Sequence, residues 1–157
     1  MTTMKVKLNF PDFNIKTRTV LGKEQIWDGI RLKWLALTPE EWVRQNLIMY
    51  LVECRGVSSL YIKQEMGLDL HGTRKRADIV IYGSGMTPGM VIECKAPEVK
   101  ITRETLEQVA RYNMTLGLPY TAVTNGLSHY CFRFDKATGR VEKLTDFPSY
   151  QDICATG

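Results

Sequence analysis

The chain has 157 residues, 44% of them hydrophobic and 24% charged, with a net charge of +4. That is enough for one globular domain with a sound core, and the mild positive charge permits nucleic-acid binding without requiring it. No apolar run approaches membrane-spanning length, and the N-terminus lacks the apolar segment of a signal peptide. Cys54, Cys94, Cys131 and Cys154 are scattered without a CxxC pair, and His71 and His129 have no ligand spacing. Both facts argue against zinc and point to a reducing, cytoplasmic setting.

Residues 1–37 are expected to form an N-terminal extension that packs on the core. Lys5-Val6-Lys7-Leu8-Asn9-Phe10 alternates as a strand would, and Pro11 would stop it. Ile30, Leu32, Trp34 and Leu35 suit a short edge strand with its aromatics on the core; Trp27 and Trp34 read as packing residues. The main domain is expected over 38–150, and a tail over 151–157.

Thr38-Pro39-Glu40-Glu41 is a helix start: Thr38 suits the N-cap, Pro39 the first helical position, and Glu41 the reciprocal place of a capping box. The helix should run to about Arg55 and stop at Gly56. Val43, Leu47, Tyr50, Leu51 and Cys54 make an apolar face. Glu40 falls at the edge of that face, whereas Glu41 falls nearly opposite, toward solvent. Either acid could simply favour the positive helix end; if one reaches a functional site, Glu40 is better placed.

Leu60 to Glu65 alternates as a first core strand, and Gly67 and Gly72 flank a turn. Arg74-Lys75-Arg76 then reads either as a solvated loop or as a rim that contacts phosphate. Asp78 opens the apolar run Ile79-Val80-Ile81-Tyr82, and the turn-rich stretch from Gly83 to Gly89 leads into Val91-Ile92-Glu93-Cys94-Lys95. On that second strand Glu93 and Lys95 project together, away from Ile92 and Cys94. If the two strands pair as a hairpin, Asp78 meets Glu93 closely enough to share a divalent cation. Mg²⁺, for which Mn²⁺ could substitute, favours such oxygen ligands, and Lys95 could orient a water or neutralise phosphate charge. The bland alternative is a surface ion pair worth about 0–1 kcal/mol.

Thr102 caps a second helix with Thr105 in support. The helix carries Thr105, Gln108, Val109, Tyr112 and Leu116 on roughly one side and ends before Gly117 and Pro119. Gln108 reads equally as a packing residue at the edge of that side. Tyr120 to Thr124 is a further strand, and His129–Phe134 with Arg140–Leu144 make a last hairpin. Phe147, Pro148 and Tyr150 suit a docked tail that frays at its end.

Ala77-Asp78 followed by Glu93-Cys94-Lys95 resembles the PD-(D/E)XK nuclease motif, with alanine in place of the usual proline. Glu40-Glu41-Trp42-Val43-Arg44 resembles the first-helix motif of that superfamily, and Gln108-Val109-Ala110-Arg111-Tyr112 the Gln-xxx-Tyr motif of its RecB-like branch. With Thr124-Asn125-Gly126, the set is similar to the N-terminal nuclease domain of type I restriction enzyme R subunits, over roughly Asp28 to Tyr150.

The resemblance implies an α/β, restriction-endonuclease-like fold: a mixed central sheet flanked by helices, in the order helix, three strands, helix, strand, C-terminal hairpin. It implies Mg²⁺-dependent DNA cleavage, with Asp78 and Glu93 as metal ligands, Lys95 acting on water or phosphate, and Glu40 aiding the metal site. Gln108 and Tyr112 would position Lys95 or the substrate backbone, and Arg74, Lys75 and Arg76 would contact DNA. Restriction-modification or translocase subunits are the expected partners, and no membrane is. The chain has no Gly-x-x-x-x-Gly-Lys-Ser/Thr loop, so ATP-driven translocation is not expected of a stand-alone relative or excised fragment. Two other readings are a DNA- or partner-binding module that keeps the fold without turnover, and a core ion-pair cluster in an unrelated α/β protein.

Overall fold

The computed structural model describes residues 5–70 and 73–155 and, for 68–70 and 73–75, the backbone. Three antiparallel strands, β1 (Thr17–Val20), β2 (Lys23–Asp28) and β3 (Lys33–Ala36), form a small sheet in that order. Helix α1 (Pro39–Cys54) follows. A six-stranded sheet comes next, ordered β4 (Ile62–Leu70), β5 (Thr73–Tyr82), β6 (Pro88–Cys94), β7 (Tyr120–Thr124), β8 (His129–Asp135) and β9 (Arg140–Leu144). Helix α2 (Arg103–Leu116) links β6 to β7, and α3 (Tyr150–Ala155) closes the described chain. Only β6 and β7 run parallel. A parallel pair needs a crossover, and α2 supplies it. The mixed α/β architecture expected from the sequence is therefore the one observed.

Alternation along the central strands decides which helix covers which face. Ile79, Ile81, Met90, Ile92 and Cys94 pack with Val43, Leu47 and Leu51 of α1 in the main core, all nearly or wholly buried. Val80 and Val91 point the other way, against Tyr112 and Leu116 of α2. Each fully buried aliphatic side chain contributes about 1.5–3 kcal/mol of transfer free energy, so the two helices lock the sheet from both sides.

Both helix starts form as the residues dictate. Thr38 Oγ1 accepts from the Glu41 amide at 3.0 Å. At α2 the exchange between Thr102 and Thr105 is reciprocal, and Gly117 adopts φ 68° to end the helix. The Glu41 carboxylate does not complete the first capping box, because Arg44 and Gln45 hold it.

Several local expectations are corrected. Lys5 to Phe10 is coil rather than strand: Leu8 is buried in the main core, and the Asn9 amide donates to Gly126 O at 2.7 Å. Gly126 makes this docking possible, since it sits at φ 85° and a Cβ there would lie 2.7 Å from Leu8 Cδ2. Trp27 and Trp34 do not pack on the core; Ile26 and Asp28 occupy the inward face of β2 and alternation turns the indoles outward. Cys54 is exposed rather than part of the apolar face of α1. A turn of 3₁₀ helix, Ser59–Tyr61, replaces the start of the first core strand. Gly67 lies inside β4, and Arg74-Lys75-Arg76 lies inside β5 rather than in a loop. Residues 150–155 are helical, with Ile153 buried. Gly72 and His71 lie outside the described residues.

Candidate active site

The site forms where β5 and β6 part. Their ladder extends as far as Ile79 opposite Ile92, and the next register position sets Asp78 against Glu93. There β6 turns to its other neighbour: Glu93 and Cys94 pair with Val123 and Thr124 of β7, and the Lys95 amide donates to Thr124 O at 2.8 Å. Asp78 spans the opening. Its Oδ2 accepts from the Cys94 amide at 2.7 Å, in place of a backbone partner.

Lys95, at the end of β6, lies close enough to lower the proton affinity of both Asp78 and Glu40. Burial pushes the Asp78 carboxyl above its ordinary value; the Cys94 amide, Arg44 and Lys95 counter that in part. Glu40 is more exposed but also raised, by desolvation and then by the Asp78 charge. The two acids therefore sense each other across the start of α1. Thr38, Glu40, Arg44, Ala96 and Glu98 line an open cleft of about 400 Å³ beside them.

Glu93 lies on the α2 side. Its charge raises the pKa of the half-buried Tyr112 phenol, after desolvation. Asp78, Lys95 and Glu40 thus share one neighbourhood. Glu93 follows at the next register position, near Tyr112. Gln108, one turn before Tyr112, is exposed, and its side chain makes no hydrogen bond among the described residues. Arg76 is exposed and lies 3.3 Å from Glu65; the Arg74 and Lys75 side chains lie outside the described part. Among the described residues no three His, Cys, Asp or Glu side chains converge as a metal-binding group. Mg²⁺ retains several waters and uses one or two carboxylates, so the oxygen donors Asp78 and Glu93 suit it chemically. His129 is occupied otherwise: Nδ1 meets Thr124 Oγ1 at 2.6 Å and Nε2 meets Asn9 O at 3.0 Å.

A profile of the family described as Type I restriction enzyme R protein N terminus (HSDR_N) matches residues 39–148. The chain belongs to this family. A comparison with curated proteins returns no match. Among solved structures the chain is similar to one described as a fragment ascribed to an HsdR subunit of a type I restriction enzyme from Vibrio vulnificus YJ016. The identity is 24% and the TM-score 0.50, over 68% of this chain and 22% of that one. That likeness supports the fold, and the match spans about a fifth of the larger protein's length.

The R-protein N-terminal fold brings a second charged group to the same place, which the sequence did not reveal. Glu41, expected to face solvent, is 7% exposed and held by Arg44, whose Nε lies 2.9 Å from Glu41 Oε2. The reason is the helix path: α1 lies so deep in the fold that even its polar flank meets β4. Arg44 also approaches Glu65 at 3.6 Å, and Glu65 takes Arg31 at 2.6 Å. Arg31 in turn binds the fully buried Asp28, which Gln64 also contacts. Glu65 sits at φ 53°, an uncommon conformation for a non-glycine residue, within a strand and next to Asp78 in register. The Glu41/Arg44 spacing of three was the one available signal for this network; Glu65 gave none.

Proposed function

We propose that this domain is a Mg²⁺-dependent DNA endonuclease that hydrolyses phosphodiester bonds. The observation that carries the reading is the meeting of Asp78, Lys95 and Glu40 at the parting of β5 and β6, with Glu93 next in register. Family membership supports it. Asp78 and Glu93 would hold the cation, which when bound supplies Lewis-acid polarisation of the phosphodiester.

The chain's own groups do the rest. Lys95 holds a positive charge beside Asp78 and Glu40, where it neutralises a phosphate oxygen or orients water for attack. The Cys94 amide fixes one oxygen of Asp78 and so sets the direction of the other. Glu40, with its raised proton affinity, is suited to exchange a proton with water in the cleft. Tyr112 backs Glu93 from α2. Exposed Gln108 and Arg76 are available to a substrate strand; Arg74 and Lys75 are proposed as DNA contacts from the sequence alone. Partner subunits of a restriction system are proposed on the same family basis.

Nicking of supercoiled plasmid in Mg²⁺, Mn²⁺ and EDTA tests the assignment. The expected result is metal-dependent nicking that falls by roughly 10²-fold or more in Asp78→Ala and in Lys95→Ala. Plasmid retention without nicking, unchanged by either substitution, would replace the reading with that of a binding module.

A further inference from the structure

The outward face of the N-terminal sheet has features the site does not use. The register places Trp27 opposite Trp34, with Arg18, Gln25 and Ala36 in the adjoining row and Val20 and Lys23 beyond. The Trp27 amide donates to Lys16 O, which continues the row beside the indoles. The two rings meet edge to face with centroids 5.2 Å apart. The Arg18 guanidinium lies 4.2 Å from the Trp34 ring centroid, and its Nε donates to Gln25 Oε1 at 2.7 Å.

Neither indole joins either core cluster, and neither N–H has an acceptor among the described residues. Trp42 shows the ordinary alternative: it packs on the main core, and its N–H donates to Val6 O at 2.8 Å. Both acids of β2, Glu24 and Asp28, fall on the other face by alternation with Ile26, and Asp28 is fully buried there. The outward row therefore presents Lys16, Arg18 and Lys23 around two aromatic rings, with no carboxylate among them.

Cations and partly exposed rings on one face match a chain that alternates phosphates with flat bases. A duplex hides its base faces; a single strand offers them, and stacking on an aromatic side chain is worth about 1–3 kcal/mol per base. We propose that the outward face of β1–β3 binds single-stranded DNA, with bases on Trp27 and Trp34 and phosphates near Lys16, Arg18 and Lys23. This extends the nuclease reading to the strandedness of the DNA the domain handles, and rests on that reading only for the choice of DNA.

The test is fluorescence anisotropy of labelled dT15 and of a 15-base-pair duplex with the full chain in EDTA, where cleavage plays no part. Intrinsic tryptophan quenching is read in parallel. The wild type should bind dT15 more tightly than the duplex, with quenching. Trp27→Ala/Trp34→Ala should weaken dT15 binding by roughly 10- to 100-fold. Trp27→Phe/Trp34→Phe, which keeps the rings and the sheet packing, should weaken it less. Arg18→Ala should flatten the salt dependence. Equal binding by the Ala and Phe pairs, tighter binding of duplex, or no dT15 binding by the wild type would overturn the proposal; the last result would leave this face to an acidic protein partner. Binding of dT15 that survives alongside a failure of metal-dependent nicking would separate this inference from the nuclease reading.

Discussion

Two carboxylates, the buried Asp28 and the half-buried Asp78, sit at opposite ends of one chain of charges and behave in opposite ways. Asp28 is fully buried, yet its proton affinity is depressed: burial pushes it up, but the Arg31 amide and guanidinium, Gln64 and the Ile30 amide outweigh that. Asp78 is more accessible to solvent, yet its proton affinity is raised, because one backbone amide and two cations do not offset its desolvation. Solvent exposure alone would order the two the other way. What separates them is how completely their lone pairs are occupied by partners. Asp28 is a finished structural joint between the small sheet and β4. Asp78 retains an unmet demand for positive charge, which suits the proposed role as a metal ligand.

The largest expected effect comes from opening the finished joint. Asp28→Ala leaves Arg31 without its inner partner and exposes Gln64 to an empty space. Removal of one member of a buried ion pair costs about 3–5 kcal/mol. Urea unfolding should show that loss, and a cost below about 1 kcal/mol would mean the joint is incidental. The same comparison gives a pH dependence. Asp28 and Glu65 are both depressed in the folded state, Glu65 mainly by its bond to Arg31. Their stabilisation is therefore present above the ordinary carboxylate range and lost as pH falls through the lower folded values. Arg31→Ala should remove the main share of the acid sensitivity due to Glu65 and only part of that due to Asp28, which the backbone amides of residues 30 and 31 and Gln64 still hold.

Asp78 carries the opposite sign. Its raised folded pKa means that stability is fullest while it is protonated and declines as pH rises through the folded value. Asp78→Asn preserves an oxygen to accept from the Cys94 amide but carries no charge. Its Tm at pH 8 should exceed that of the wild type by roughly 2–4 °C, the shift that about 1 kcal/mol produces in a domain of this size. The gain should vanish at acid pH, where the wild-type residue is itself neutral. A variant less stable than the wild type at pH 8 would show that Arg44 and Lys95 already satisfy Asp78. Loss of nicking in the same variant would set function against stability at one atom pair.

The asymmetry between the two acids also explains what the sequence disclosed. Asp78, Glu93 and Lys95 announced themselves because charge ended apolar runs, and the turn between Gly83 and Gly89 fixed which runs would pair. Thr38, Thr102 and Gly117 set the helix ends through local bonds that any reader of the chain can place. The Asp28 joint joins local bonds to Ile30 and Arg31 with contacts more than thirty positions apart, Gln64 with Asp28 and Arg31 with Glu65, and no local pattern encodes the distant ones. Glu41 was assigned to solvent because a helical wheel assumes one covered face, whereas α1 is covered on its polar flank as well. Trp27 and Trp34 were assigned to the core by residue type, when the period of two along β2 had already given the inward places to Ile26 and Asp28. Hydrophobicity suggested burial there, and alternation overruled it.

The smallest predicted effect tests how far the two charge groups are independent. Thr38 Oγ1 satisfies the Glu41 amide at the first turn of α1, and Thr38→Ala should cost about 1 kcal/mol of stability. Fraying of that turn reaches the two glutamates unequally. Glu41 is anchored by Arg44 and Gln45 one turn further in, whereas Glu40 has no such anchor among the described residues and senses the charges of Asp78, Arg44, Lys95 and Glu41. Nicking should therefore fall only a few-fold, through Glu40, while the acid sensitivity set by Asp28 and Glu65 stays as it was. A fall as deep as that of Lys95→Ala would mean that the position of Arg44 depends on the cap, and that the joint and the seam act as one unit.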